Sequence, residues 1–320
     1  MLPLKFYSNG KLLITAEYLV LNGAKALALP TIFGQTLEVK QIKENTASMH
    51  WKSYDYDKSL WFEASFTTTN FEIIAFENLS NSSKKTALKL QEILQKCREL
   101  NPDFLESRDT FFVETHLTFP KNWGLGTSST LINNLAKWAN INAFTLQFSV
   151  FGGSAYDIAC AQNDFPILYQ LNNKKPSVTK AIFQPKFSNN LFFVYLNQKK
   201  NSRDAIAHYQ KKQIDLQPII SQINAITNQL LDTNICLKKF ENLLEKHEQI
   251  ISDIIQIKPI KQQLFSDYFG TVKSLGAWEG DFILVTGNEK TPAYFKNKGY
   301  TAILKYTDII YNSSLIIHKS

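Results

Sequence analysis

The stretch that most limits what this chain can fold into is a two-glycine loop set between a strand pattern and a helix pattern. Thr110 to Phe119 alternates, with Phe112, Glu114, His116 and Thr118 on one face and Phe111, Val113, Thr115, Leu117 and Phe119 on the other. That is a strand with one core face. Pro120 ends it, and Lys121-Asn122-Trp123-Gly124-Leu125-Gly126-Thr127-Ser128-Ser129-Thr130 follows. From about Ser128 to Asn140, Leu131, Leu135 and Trp138 recur along one side of a helix. Glycines let a backbone approach a ligand closely. A helix start offers unpaired N–H groups and the positive end of a dipole, so anions bind there. Gly124, Leu125, Gly126, Thr127, Ser128 and Ser129 are therefore candidates for gripping a nucleotide triphosphate, with the hydroxyls as further donors and a magnesium ligand among them. The loop is not a Walker A motif, because no Lys follows the second glycine at the required spacing, and it lacks the third glycine of a dinucleotide fingerprint. A plain glycine turn with Thr127 or Ser128 as helix N-cap accounts for the same residues equally well.

The remaining pattern is that of a folded, mixed protein. The 320 residues suggest one large domain or two ordinary ones, and 44% hydrophobic with 20% charged residues excludes a disordered chain. The formal charge of +7 comes from lysines scattered among acids rather than from a basic run, which argues against nucleic acid as the partner. Cys97, Cys160 and Cys236 are too few and too far apart for a disulfide framework or a zinc site, and read as buried free thiols in a reducing cytoplasm. No signal-peptide pattern or membrane-spanning apolar run is evident, so the expected location is cytoplasmic with no membrane partner.

Strands are expected at 11–21, ending at the Asn22-Gly23 turn, at 26–29 ending at Pro30, and at 36–41 and 59–67. A helix is expected over 84–100, stopped by Asn101-Pro102. Beyond a change near residue 180, a strand at 191–196 precedes mostly helical sequence over 203–275. Strands are expected to close the chain at 282–286 and 302–305, with 309–318 as a further candidate.

Four stretches, taken in order, resemble the motifs of the galactokinase–homoserine kinase–mevalonate kinase–phosphomevalonate kinase (GHMP) superfamily. Pro120 through Ser128 resembles its Pro-x-x-x-Gly-Leu-Gly-Ser-Ser loop, with Thr127 at the first Ser. Ser8 through Tyr18 resembles the N-terminal Pro-Gly-Lys-(apolar)-Gly-Glu-(Tyr/His) motif. Val272 through Phe282 resembles the C-terminal Lys-x-Ser-Gly-Ala-Gly-Gly-Gly-Asp motif. Gly153-Ser154-Ala155-Tyr156-Asp157-Ile158-Ala159 resembles the segment that carries a catalytic Asp in the mevalonate and phosphomevalonate kinases, the branch to which the wording stands closest.

The resemblance implies an α+β, two-domain fold: an N-terminal ATP-binding domain over 1–180 with a left-handed βαβ crossover, and a ferredoxin-like C-terminal domain over 181–320. It implies ATP-dependent phosphorylation of mevalonate or 5-phosphomevalonate on the path to isoprenoids, with ATP and Mg2+ as cofactors and a homodimer left open. Asp157 would take the proton of the acceptor hydroxyl or hold that oxygen in line. Lys11 would stabilise charge on the transferring phosphoryl group, and Ser128 would bind the metal. Glu17, Ser154, Lys273, Ser274 and Gly276 would help build the substrate site.

Without the motifs, Asp157 reads as a turn aspartate, Lys11 as a surface lysine and Glu17 as half of a surface salt bridge. His116 reads as an ordinary strand residue. The pattern also departs from the superfamily. Ser8-Asn9 stands where Ala-Pro is common, Ala16 where Gly is usual, and Leu275, Trp278 and Glu279 where small residues are usual. Residues 141–156, where many relatives carry an acidic metal ligand, contain Gln147 but no Asp or Glu. These departures support a rival expectation, a non-catalytic relative that binds nucleotide or a metabolite.

Overall fold

A computed structural model describes residues 3–198, 209, 215–276, 278 and 280–311. Its residues form two compact units: Met1–Gly10, Phe33–Lys121 and Leu125–Gln162 make the first, and Lys11–Ile32, Asn122–Gly124 and Asn163–Ser320 the second. They interleave along the chain.

In the first unit, strands β3 (Ser48–Tyr54), β4 (Leu60–Thr67), β5 (Ile73–Ile74) and β6 (Thr110–Leu117) join β2 (Ala26–Ile42) in the order β5-β4-β3-β6-β2. β3 and β6 run parallel and the other pairs antiparallel. Helices α1 (Asn81–Leu100), α2 (Thr127–Trp138), α3 (Ala143–Val150) and α4 (Tyr156–Ala161) complete it. Ser80 caps α1 by accepting the Ser83 N–H, and Ala87, Leu90, Ile93, Leu94 and Cys97 form its buried stripe. That stripe joins Val39, Trp51, Phe66 and Val113 of the sheet and Ile132 and Leu135 of α2 in one core. Strand β1 (Leu4–Leu13) pairs with β2, and a Cβ on Gly34 would overlap the Ser8 carbonyl oxygen, which is why glycine stands there.

In the second unit, β9 (Leu191–Tyr195), helices α5 (Gln217–Leu230) and α6 (Leu237–Ile255), β10 (Val272–Ser274), β11 (Phe282–Thr286), α8 (Thr291–Asn297) and β12 (Ile303–Lys305) follow one another. A short helix, α7 (Ile260–Leu264), precedes β10, and another, α9 (Tyr306–Ile309), follows β12. The sheet order is β10-β11-β9-β12, all antiparallel. A β-α-β-β-α-β succession with that order is the expected ferredoxin-like arrangement. One side of the sheet packs Phe192, Val194, Ile283 and Val285 against Phe265, Tyr268 and Phe295. The hairpin β7 (Ile167–Asn172) and β8 (Lys175–Lys180) pairs with the first residues of β2.

Several expected elements differ. The first strand ends at Leu13, because the backbone turns left-handed at Ala16 and Tyr18. Pro30 does not end a strand, because it lies between the ladders that β2 forms with β7 at 26–28 and with β6 at 35–42. The stretch expected to be helical up to 275 closes with strand β10. Residues 199–208, 210–214 and 312–320, including part of that helical stretch and most of the 309–318 strand, lie outside the described residues. Cys97 and Cys160 are buried, but Cys236 is exposed, and none of the three forms a disulfide. Among the described residues, no helix is long and apolar enough to cross a membrane.

Candidate active site

The glycine loop opens α2 without a side-chain cap. Gly126 is the N-cap residue, left-handed at φ 99°, and as a glycine it offers no side-chain cap. Thr127 and Ser128 are therefore inside the helix rather than capping it. The Ser129 hydroxyl donates to the Gly126 carbonyl at 2.8 Å, and the Thr130 hydroxyl donates to Gln35 Oε1 at 2.8 Å. Thr127 Oγ1 is buried with no hydrogen-bond partner, while Ser128 is exposed. A buried hydroxyl without a partner carries a desolvation cost of about 1–3 kcal/mol. Together with uncapped helix amides, it suits an anion with several oxygens.

α2 is fixed from behind by buried polar side chains. Ser8 donates to Asn134 Oδ1 at 2.7 Å and accepts from Asn133 Nδ2 at 2.8 Å, and Asn134 Nδ2 donates to the Gln35 carbonyl at 2.9 Å. This network gives the unusual Ser8 a structural reason: a smaller apolar residue would leave two buried amides short of a partner.

In the same unit Asp157 lies in the first turn of α4, half-buried, with Oδ1 accepting the Ile158 N–H at 3.0 Å. The turn before it is left-handed at Gly152, Gly153 and Ala155, and Ser154 is buried. Gln147 Nε2 donates to the Gly152 carbonyl at 3.1 Å, and its Oε1 is buried without a partner.

In the second unit the beginning of the loop meets the N-terminal and C-terminal motifs. Lys11 Nζ donates to the Gly124 carbonyl at 2.8 Å. Gly124 is left-handed at φ 70°, and a Cβ there would overlap the Asp281 carboxylate. Tyr195 donates to the Asn122 carbonyl at 3.0 Å, and Trp123 packs against Tyr195 and Phe282. Burial, and then the Asp281 charge, raise the Tyr195 hydroxyl above its usual range.

Glu17 and Lys273 form a buried ion pair rather than a surface one. Lys273 Nζ bonds Glu17 Oε1, donates to the Ser274 carbonyl at 2.8 Å and lies 4.0 Å from Glu248 Oε2; both Lys273 and Glu17 are sealed from solvent. Glu248 accepts from the Ser274 N–H at 3.1 Å and from its hydroxyl at 2.8 Å. Burial raises the Glu17 carboxyl, and Lys273 opposes that rise. Burial also pushes Glu248 up to about 7, again against Lys273. His247 Nε2 accepts the Ala16 N–H at 2.9 Å, so the ring proton sits on Nδ1. Burial, and then the Lys273 charge, hold His247 well below its usual range and so keep it neutral. Gly276, left-handed at φ 65°, follows this cluster with open space at its α-carbon. Ala277 and Glu279 lie outside the described residues.

Three of the contributing residues were not singled out from the sequence. His247 and Glu248 fall on the buried stripe of α6 with Leu243, Leu244 and Ile251, at spacings that signal a core-facing pair. Tyr195 carried no signal beyond its place in a strand. His116 stacks on Tyr54 and lies 3.4 Å from Glu114, an ordinary strand residue as expected.

The fold is that of the GHMP kinases. The chain is similar to L. major mevalonate kinase in complex with R-mevalonate, at 16% identity and a TM-score of 0.65, covering 97% of this chain and 96% of that one. It is also similar to Streptococcus pneumoniae phosphomevalonate kinase in complex with phosphomevalonate and AMPPNP, at 15% identity and a TM-score of 0.63, covering 96% and 98%. Lactococcus lactis galactokinase complexed with galactose matches at 12% identity and a TM-score of 0.65, covering 97% and 95%. No family model matches the chain, and no curated protein matches it.

Proposed function

We propose that the chain is a GHMP-superfamily kinase that transfers the γ-phosphoryl group of ATP to mevalonate or 5-phosphomevalonate. The observation that carries this reading is the meeting on Gly124 of three separated motifs, through the Lys11 ammonium and the Asp281 carboxylate. Residues that distant in sequence are held on one glycine of an uncapped anion-binding loop, within a fold that also carries these activities in other proteins.

Gly124 to Ser129 bind the phosphates through helix-start amides, and the Thr127 hydroxyl supplies a further donor. The exposed Ser128 hydroxyl is a metal donor there, since Mg2+ prefers oxygen ligands. When bound, Mg2+ neutralises charge on the phosphate oxygens. Asp157 accepts the proton of the mevalonate hydroxyl, or holds the phosphate oxygen of 5-phosphomevalonate in line, as that oxygen forms a bond to the γ-phosphorus, the bond to the β–γ bridging oxygen breaks, and ADP leaves. Lys11 stabilises the charge that develops on the phosphoryl oxygens. The buried Glu17–Lys273 pair fixes the N-terminal motif to the C-terminal one, and Ser154, Ser274 and Gly276 shape the acceptor site.

A second reading, a nucleotide-binding relative without turnover, draws on the Asp281 carboxylate pressed against the loop and on the buried Trp278 within the third motif. A coupled ADP-release assay with ATP, Mg2+ and a panel of mevalonate, 5-phosphomevalonate, galactose and homoserine separates the two. Turnover of one of the first two supports the proposal. Nucleotide binding without turnover of any acceptor favours the second reading.

A further inference from the structure

Asp281 ends the third motif, and its carboxylate occupies the space over Gly124 where any other residue would place a side chain. The backbone holds it there. Asp281 is left-handed at φ 52°, its N–H donates to the Gln198 carbonyl at 2.6 Å, and its carbonyl accepts from the Leu196 N–H at 2.8 Å. A left-handed non-glycine residue is disfavoured and persists where the surroundings fix it.

A carboxylate on a loop built to grip phosphates is an electrostatic contradiction. A triphosphate carrying several negative charges would meet a like charge at Gly124, and two anions a few ångströms apart repel unless a cation lies between them. Lys11, on the Gly124 carbonyl, supplies a single positive charge. Residues 141–156 contain no carboxylate, and no cluster of three metal-ligating side chains occurs among the described residues. Mg2+ does not require one: it keeps several waters and is bound through one or two carboxylates together with substrate phosphates.

We propose that Asp281 is a divalent-cation ligand of the bound nucleotide, the carboxylate through which Mg2+ joins the phosphates to the loop at Gly124. The inference rests on reading that loop as a nucleotide site. Asp281 excludes the metal-free nucleotide by repulsion and admits the magnesium complex by coordination, so the loop selects the chemically competent form.

The test is calorimetric titration of a non-hydrolysable ATP analogue into the full chain, in Mg2+ and in EDTA, a readout independent of turnover. Mg2+ tightens binding to the wild type by about tenfold or more. Asp281→Asn, close in shape, binds the metal-free analogue more tightly than wild type, and the advantage of Mg2+ falls to about threefold or less. Asp281→Ala, checked for folding by thermal melting, shows the same loss. Equal wild-type affinity with and without Mg2+ overturns the inference and leaves the kinase reading standing. So does Asp281→Asn weakening both titrations by one factor, which would make the carboxylate a support for Lys11 alone. Absence of wild-type binding in both conditions overturns the nucleotide reading and this inference together.

Discussion

Replacing Lys273 by Met tests the buried cluster, because it removes a charge while keeping most of the aliphatic stem. Lys273 is the cation between the carboxyls of Glu17 and Glu248, and none of the three is accessible to an appreciable degree. Breaking a buried ion pair by deleting one partner costs about 3–5 kcal/mol, because the other charge is left without compensation. Lys273→Met is expected to destabilise the chain by that amount in urea unfolding at pH 8. The carboxyls provide an internal check. Burial raises both, and Lys273 opposes the rise, so the variant holds their protons to higher pH than the wild type does. A folded state that keeps protons the unfolded chain has released loses stability as pH rises. The cost of Lys273→Met is therefore smaller at pH 5.5 than at pH 8. Adding Glu17→Gln to Lys273→Met removes one of the stranded charges and restores about 2 kcal/mol. A cost below about 1 kcal/mol at pH 8, or an equal cost at both pH values, refutes the cluster as a coupled ionic unit.

The carboxyl of Glu248, raised to about 7, makes the wild type lose stability as pH rises from the ordinary carboxylate range to about 7; Glu248→Gln flattens that slope, by about 3 kcal/mol across the window, in urea titrations at several pH values. His247→Leu leaves the Ala16 N–H buried without an acceptor and costs about 1–3 kcal/mol, whereas His247→Gln, whose side-chain oxygen can accept, costs measurably less in the same assay. Gly124→Ala places a methyl group on the Asp281 carboxylate in a left-handed backbone; nucleotide affinity falls by about tenfold or more in calorimetry, and an unchanged affinity would detach Gly124 from the site. Lys11→Ala lowers turnover far more than it lowers the thermal midpoint, and an unchanged rate removes Lys11 from the chemistry.

The glycine loop was legible because its signals are local: two glycines, a preceding strand and a following helix stripe. The sequence left open whether Thr127 or Ser128 merely caps the helix, and the left-handed Gly126 cap decides that point. Local signals misled where a distant partner sets the outcome. Pro30 reads as a strand end, yet β2 continues through it because the missing N–H falls between two ladders. The bend at Ala16, where glycine is usual, is supported by His247, 231 positions away, and no window of sequence contains both. β3 carries a strand's alternation, with Met49, Trp51 and Ser53 buried between partly exposed neighbours, but His50 and Lys52 dilute its apolar look in sequence. Glu17 suits a surface salt bridge equally well in sequence, because a glutamate beside an apolar strand gives no hint of the lysine that reaches it from β10.

The most direct test of the central claim is phosphorus NMR of ATP, Mg2+ and mevalonate or 5-phosphomevalonate incubated with wild type and with Asp157→Asn. The account predicts a new phosphoester or diphosphate resonance matched by ADP with the wild type, and none with the variant, although the variant still binds nucleotide. Equal product from Asp157→Asn, or no product from a wild type that binds ATP, would contradict it.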